Sequence, residues 1–182
     1  MIEQDRYSEA SDHIRQIRLR RPEINSTLLA LEAGLLIDAE EYYPAFTFLS
    51  RAISNYPNDI QLIQLRTIVS QELDDLAILE LDLRSLMRLE PNNPSPFNTL
   101  GYFLADRTTR YNEAKELIDR AIELSPNDPA IIDSLGWVQF KLGMYEESKI
   151  NLERAFELFP DHEVAAHLGE VLWVMGNREA AR

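Results

Sequence analysis

The chain has 182 residues, of which 45% are hydrophobic and 27% are charged, and its formal net charge is −13. This apolar fraction is enough to build a packed core, so the composition excludes a disordered tail. The acidic balance argues against general nucleic-acid binding, which requires a surplus of Lys and Arg. Cysteine is absent, which excludes disulfide bonds, thiolate metal sites and a cysteine nucleophile.

The first predicted element is a helix over residues 1–24 that carries a cluster of arginines, Arg15, Arg18, Arg20 and Arg21. We interpret this cluster as a solvated helix face rather than a nucleic-acid patch, because a face that binds phosphates is usually larger. No window of the sequence reaches the apolar length of a membrane span, and residues 1–6 lack the pattern of a signal peptide. These features predict either a cytoplasmic protein or one whose targeting segment lies outside this sequence.

Prolines recur along the chain at intervals of 35, 34, 35 and 34 residues, at Pro22, Pro57, Pro91, Pro126 and Pro160. Fifteen residues before four of these prolines stands a tyrosine: Tyr7, Tyr42, Tyr111 and Tyr145. Twelve residues before the same prolines stands a small residue: Ala10, Ala45, Ala114 and Ser148. Each period contains two amphipathic helical runs, and the proline ends the second. The sequence therefore predicts an all-α protein made of repeated, antiparallel helix pairs.

The repeat resembles the tetratricopeptide repeat (TPR). The matching residues are Leu135-Gly136, Tyr145, Ser148, Leu152, Ala155 and Pro160 in one period, and Leu100-Gly101, Tyr111, Ala114, Ile118, Ala121 and Pro126 in the period before it. The resemblance covers essentially the whole chain and implies a right-handed superhelical solenoid of antiparallel helix pairs. In this register the chain is a single TPR array with a lone helix at 1–24, repeats at 26–59, 60–93, 94–128 and 129–161, and a partial repeat at 162–182.

Neither end of this predicted array carries a capping helix pair with a polar outer face, which stacked repeats require. We therefore expect a fragment of a longer array, or an end that another chain covers. The repeat at 60–93 departs from the pattern, because Leu76, Leu79 and Leu86 stand where it has Tyr, Ala and Ala. We expect these bulky side chains to push the two helices of that repeat apart.

The second half of the chain has a narrower resemblance. Residues 100–143 and 159–182 are similar to the C-terminal part of large TPR outer-membrane lipoproteins of proteobacteria, which act as adaptors for a periplasmic carboxy-terminal-processing protease. This resemblance implies a periplasmic protein, tethered to the outer membrane by a lipid anchor in the full-length chain. Residues before position 90 resemble these lipoproteins only loosely.

Catalytic and metal-binding patterns are missing from the sequence. His162 and His167 suggest a zinc site at first. However, they stand at positions i and i+5, which places their side chains roughly 140° apart around a helix, so they cannot share one ion. Phosphate-binding loops and nucleophile motifs are absent. We therefore predict a protein that is not an enzyme and has no cofactor or metal ion.

Partner-binding residues are predicted from the TPR resemblance, in which the first helix of each repeat lines the concave surface. The candidates on that surface are Asn98, Tyr102, Asp133, Trp137, Phe140, Lys141, Glu170 and Trp173. Tyr102 and Trp137 are the favoured anchors, because aromatic residues that the repeat core does not need suit an interface. The alternative is that aromatic residues, Phe140 and Trp173 above all, only pack between adjacent repeats.

Acidic residues surround these candidates on the predicted first helices: Asp38, Glu72, Asp106, Asp133 and Glu170. Their charge favours a basic or apolar extended segment as the ligand. The sequence thus predicts a non-catalytic scaffold or adaptor that binds a protein or peptide, with no role for nucleic acid. The alternative is a structural module that forms homo-oligomers through its open terminal helices.

Overall fold

A computed structural model of the chain describes residues 2–21 and 25–179, and within these ranges the side chains of residues 9, 10, 13–21 and 25–179. The described residues form ten α-helices joined by short loops and contain no β-strand. The all-α class predicted from the periodicity is therefore confirmed. The chain divides into two compact units, Met1–Leu89 (unit 1) and Glu90–Arg182 (unit 2).

Unit 1 contains five helices: α1 (Ile2–Arg20), α2 (Asn25–Asp38), α3 (Tyr42–Asn55), α4 (Ile60–Glu72) and α5 (Leu76–Leu89). The pairs α2–α3 and α4–α5 coincide with the repeats predicted at 26–59 and 60–93. Small and aliphatic side chains of α2, α3 and α4 form the core of this unit: Leu29, Ala30, Ala33, Ala45, Leu49, Ala52, Leu62 and Val69. Ala45, one of the periodic small residues, is completely buried there.

The α4–α5 pair is linked by a buried ion pair. Arg66 donates from Nε to Oδ2 of Asp82 at 2.8 Å and from Nη2 to Oδ1 at 2.7 Å. Its Nη1 donates to Ser50 of α3 at 3.1 Å. Leu79 and Leu86, the departures from the repeat pattern, are both buried in this pair. Their expected effect on the separation of the two helices stays a prediction.

Unit 2 also contains five helices: α6 (Pro94–Arg107), α7 (Tyr111–Leu124), α8 (Pro129–Lys141), α9 (Tyr145–Leu158) and α10 (His162–Val174). The pairs α6–α7 and α8–α9 coincide with the repeats predicted at 94–128 and 129–161. A Cβ atom added to Gly136 would lie 2.5 Å from Leu152 Cγ. Ser148 Oγ donates to the Gly136 carbonyl oxygen at 2.7 Å. The periodic small residues thus let α8 and α9 touch at their crossing.

Helix starts in both units are capped at equivalent positions. One or two residues after a repeat proline, an Asp or Asn side chain accepts a hydrogen bond from the backbone N–H of the next helix. These caps are Asp59 on Leu62, Asn93 on Ser95, Asp128 on Ala130 and Asp161 on Glu163. These Asp and Asn side chains therefore satisfy backbone N–H groups at the starts of the helices.

None of the helices in the described part of the chain has both the length and the apolar character that crossing a lipid bilayer requires. The same residues contain no group of three His, Cys, Asp or Glu side chains that could hold a metal ion.

Candidate partner-binding site

Helical spacing brings the candidate residues of unit 2 onto common faces. Four candidates follow one another along α8 in steps of four, three and one positions, which places them along one side of that helix: Asp133, Trp137, Phe140 and Lys141. The same four-residue step joins Asn98 to Tyr102 on α6, and Glu163 to His167 on α10. We call the resulting set of side chains the aromatic–acidic cluster: Asn98, Tyr102, Asp133, Trp137, Phe140, Lys141, Glu163 and His167.

A buried His–Asp pair lies at the centre of the aromatic–acidic cluster. His167 Nδ1 is 3.0 Å from Oδ1 and 3.1 Å from Oδ2 of Asp133, and both side chains are buried. We assign the hydrogen to Nδ1, because an ionised carboxylate can only accept. The imidazole stacks on the indole of Trp137 with 4.2 Å between the ring centroids. This pair therefore holds the Trp137 ring in a fixed orientation.

Trp137 is packed more tightly than the sequence predicts. Its side chain is only 5% exposed, and the ring stacks on Phe140 at 5.3 Å as well as on His167. Lys141 Nζ lies 4.2 Å from the centroid of the same ring. The expectation that the core does not need Trp137 is therefore wrong, since its neighbours enclose the ring.

The ammonium of Lys141 stands where the surroundings favour a cation. An ammonium over an indole face is attracted by the ring quadrupole. The face of Trp137 is thus a cation site that the protein's own lysine occupies.

Tyr102 links α6 to α10. Its hydroxyl donates to Glu163 Oε1 at 2.8 Å, and its ring lies 6.1 Å from that of His167. Burial raises the pKa of the Tyr102 phenol, and the hydrogen bond to Glu163 and the carboxylates of Asp106 and Asp133 raise it further. The phenol therefore remains a hydrogen-bond donor at neutral pH.

The variant Tyr102→Phe is expected to make the stability of the chain less sensitive to alkaline pH. Because the folded-state pKa of Tyr102 is raised above the ordinary value of 10.0, its contribution to stability is complete below pH 10.0 and is lost as the pH rises further. Urea unfolding of both proteins from about pH 8 to about pH 11 measures this difference. The free energy of unfolding should fall more steeply above pH 10.0 in the wild type. Parallel curves would show that folding does not raise the pKa of Tyr102.

Two polar atoms of the aromatic–acidic cluster are buried without a hydrogen-bond partner among the described residues. They are the indole Nε1 of Trp137, a donor, and the carboxamide Oδ1 of Asn98, an acceptor. Leaving such a group unpaired costs about 1–3 kcal/mol. A ligand that reached these atoms after a small side-chain movement would recover that cost.

Two predicted site residues stand apart from the cluster. Glu170 and Trp173 both lie on α10 and are exposed, and within the described ranges no hydrogen bond or ring contact joins them to the aromatic–acidic cluster. The Trp173 ring is 51% exposed, and the guanidinium of Arg178 lies 5.0 Å from its centroid. The roles of Glu170 and Trp173 in partner binding, and the alternative that Trp173 packs between repeats, stay predictions.

Comparison with known sequences identifies the repeats. The tetratricopeptide repeat family matches residues 97–128 and 131–162. These ranges are the helix pairs α6–α7 and α8–α9. These two helix pairs therefore match the tetratricopeptide repeat.

The chain is also similar to a longer TPR protein. It is 40% identical over 170 residues to the TPR repeat-containing protein PA4667 of Pseudomonas aeruginosa, in an alignment that covers 93% of this chain and 29% of the relative. The chain thus spans less than a third of the length of that relative.

Solved TPR structures share the fold. A tetratricopeptide repeat protein from Parabacteroides merdae superposes with a TM-score of 0.83 and 15% identity, over 99% of this chain and 71% of that one. YrrB, a TPR protein with an unusual peptide-binding site, superposes with a TM-score of 0.73 and 20% identity, over 94% of this chain and 88% of that one. The predicted fold class, an all-α TPR solenoid, is thereby confirmed.

Two cluster residues, His167 and Glu163, were missing from the residues predicted to bind a partner, although the TPR register also places Glu163 on the concave surface. His167 was considered only as a metal ligand, yet it stands 34 residues after Asp133, which is one TPR period. Residues one period apart lie side by side on neighbouring first helices, so this spacing could have identified the pair. Glu163 lies 61 residues from Tyr102, and no periodic signal in the sequence indicates that contact.

Proposed function

We propose that this chain is a non-catalytic interaction scaffold and that the aromatic–acidic cluster of unit 2 binds a basic or apolar segment of a partner protein. TPR pairs are generally interaction modules rather than catalytic ones, which agrees with this role. The observation that carries the proposal is the ammonium of Lys141 over the Trp137 ring at 4.2 Å. A lysine or arginine from a partner would find the same attraction there once it displaced the Lys141 ammonium.

The polar atoms of the cluster support a peptide as the ligand. An extended segment offers alternating carbonyl and N–H groups. Trp137 Nε1 and Asn98 Oδ1 have no hydrogen-bond partner among the described residues and provide one donor and one acceptor. The acidic side chains attract a basic segment and repel an acidic one. Recognition would thus combine main-chain hydrogen bonds with charge.

The variant Lys141→Gln is expected to bind a basic peptide about threefold to tenfold more tightly than the wild type, because it removes the ammonium that competes for the Trp137 ring. The probe is a short fluorescein-labelled peptide of alternating Lys and Val, followed by fluorescence polarisation. Lys149→Gln on α9 is the matched control, since it removes the same charge from the second helix of the same repeat, where Lys149 pairs with Glu153 at 3.0 Å.

Tyr102→Ala should weaken the binding of the same peptide about tenfold, because it removes an aromatic contact from the cluster. Binding that responds equally to Lys141→Gln and Lys149→Gln would count against the cluster as the site. A peptide of alternating Asp and Val that binds to unit 2 as tightly as the basic one would also count against it.

For the full-length protein, the resemblance of residues 100–143 and 159–182 supports a finer role. We propose a lipid-anchored adaptor in the periplasm, tethered to the outer membrane, which presents partners to a carboxy-terminal-processing protease. The similarity to the much longer Pseudomonas protein is compatible with a larger TPR chain. Membrane fractionation of native cells tests the location, and cross-linking in intact cells tests the protease contact. Recovery of the full-length protein in the cytoplasmic fraction would reject this role.

A second candidate function is self-assembly through α9 and α10. Large apolar side chains on and just after these helices are exposed: Phe156 38%, Phe159 58%, Trp173 51% and Val174 49%. A second copy of the chain could bury them. Light scattering over a range of protein concentration tests this, and a monomer at the highest concentration would remove the candidate.

A further inference from the structure

A cavity of about 700 Å³ opens among α1, α2 and α3 in unit 1. This volume lies within the usual range of ligand-binding clefts. Its walls are partly apolar, with Leu29 and Phe48 among the lining residues, and partly basic, with arginines from two different helices. The cleft is remote in sequence from the aromatic–acidic cluster and belongs to the other compact unit.

Two of these arginines are held in place by a buried carboxylate. Arg15 Nε donates to Glu32 Oε1 at 3.0 Å, and Arg18 Nη1 donates to Glu32 Oε2 at 2.8 Å. Glu32 is only 2% exposed, so its charge has to be compensated inside the protein. The interpretation of the α1 arginines as a solvated face is therefore wrong for Arg18, whose side chain is 26% exposed, whereas the Arg15 side chain is 60% exposed and Arg20 and Arg21 are exposed as well.

A chain of hydrogen bonds continues from Arg18 around the cleft. Its Nε donates to Asn25 Oδ1 at 2.8 Å, and Asn25 Nδ2 donates to the Tyr56 hydroxyl at 2.7 Å. Such a connected network fixes the side chains that line the cleft before any ligand arrives. A preorganised site loses less entropy on binding.

Arg51 is the cation that this network leaves available. It lines the cleft from α3 and is exposed. Ser54 and Asn55 donate to its backbone carbonyl, whereas its guanidinium makes no hydrogen bond or ion pair with any residue that the structure describes. Three arginines and one glutamate line the cleft, so its lining is positive although the chain carries a net charge of −13.

We propose that this cleft binds an acidic and apolar segment of a partner protein. A partner carboxylate pairs with the guanidinium fork of Arg51 in the positive field of Arg15 and Arg18. An apolar neighbour of that carboxylate packs against Phe48 and Leu29. Nucleic acid fits less well, because it needs an extended basic track and a chain without so large a negative charge. Unit 1 would then select a segment of opposite charge to the one proposed for unit 2.

The test uses the full chain and a short fluorescein-labelled peptide of alternating Asp and Leu. Arg51→Ala is expected to weaken binding about tenfold to hundredfold, because a charge-assisted hydrogen-bonded pair is lost. Arg51→Lys keeps the charge without the fork and should fall between the wild type and Arg51→Ala. Arg88→Ala on α5 is the matched control: Arg88 is exposed, lies outside the cleft and, within the described part of the chain, bonds only to Ser85 of its own helix.

Thermal unfolding monitors the fold of each variant, and Arg51→Ala should unfold at the wild-type temperature because its guanidinium has no partner to lose among the described residues. Equal binding by Arg51→Ala and Arg88→Ala would overturn the proposal. So would undiminished binding when every Asp of the peptide is replaced by Asn. A single-stranded oligonucleotide that binds more tightly than the peptide, and loses affinity in Arg51→Ala, would assign the cleft to nucleic acid instead.

Discussion

Arg66→Ala is expected to lower the free energy of unfolding by about 3–5 kcal/mol, because it leaves the Asp82 carboxylate buried without its counter-ion. Asp82 is 2% exposed and Arg66 9% exposed, and both oxygens of the carboxylate accept from the guanidinium. The loss also releases Ser50 of α3. Urea denaturation followed by circular dichroism measures the effect.

Two further variants separate an unpaired charge from a general loss of packing around Arg66. Arg84→Ala removes an exposed partner of Glu80, whose pairing joins side chains that are 43% and 27% exposed, and should cost less than about 1 kcal/mol. The double variant Arg66→Met with Asp82→Leu should recover most of the stability, since apolar residues of similar volume can replace a buried ion pair. A loss in Arg66→Ala no greater than in Arg84→Ala would contradict the buried pair.

Gly136→Ala is expected to destabilise the chain by about 1–3 kcal/mol, as overpacked cores do. The new Cβ would lie 2.5 Å from Leu152 Cγ and 3.3 Å from the Leu152 backbone nitrogen. Alanine favours a helix over glycine by about 1 kcal/mol, so the sign of the measured change decides which effect dominates. The same urea denaturation experiment measures this change in the free energy of unfolding directly.

Gly34→Ala is the matched control for this crossing. Gly34 also lies within a helix, α2, but no described atom outside the backbone of that helix and the two chain neighbours stands within 4 Å of its added Cβ. That variant should therefore be stabilised by up to about 1 kcal/mol. Adding Leu152→Ala to Gly136→Ala should cost less than the sum of the two single changes. If both glycine variants gain stability, α8 and α9 do not cross in contact at this position.

The fold was largely predictable because its physical requirements recur in every period. A helix crossing needs small residues, such as Gly136 and Ser148, and the chain needs a stop after each second helix, which proline supplies. The ion pairs inside unit 1 were not predictable. Arg66 and Asp82 are 16 residues apart and resemble the many surface charges of this acidic chain.

The candidate site was predictable only in part. Lys141 and Trp137 are four residues apart on one helix, so their contact follows from helical geometry. The Tyr102–Glu163 bond joins helices two repeats apart, and its existence depends on how the first helices stack. The burial of Trp137 was missed because an aromatic residue outside the repeat pattern reads equally well as an anchor or as packing.

The side-chain signals of the two tryptophans, Trp137 and Trp173, offer the most direct test of partner binding by the aromatic–acidic cluster. Two-dimensional proton–nitrogen spectra record one indole N–H signal for each, during titration with the peptide of alternating Lys and Val. Binding at the cluster predicts that the Trp137 signal moves, because its unpaired Nε1 gains a hydrogen bond or loses Lys141 from its ring, and that the movement is reduced in Tyr102→Ala. A Trp137 signal that stays in place while the peptide binds would contradict it.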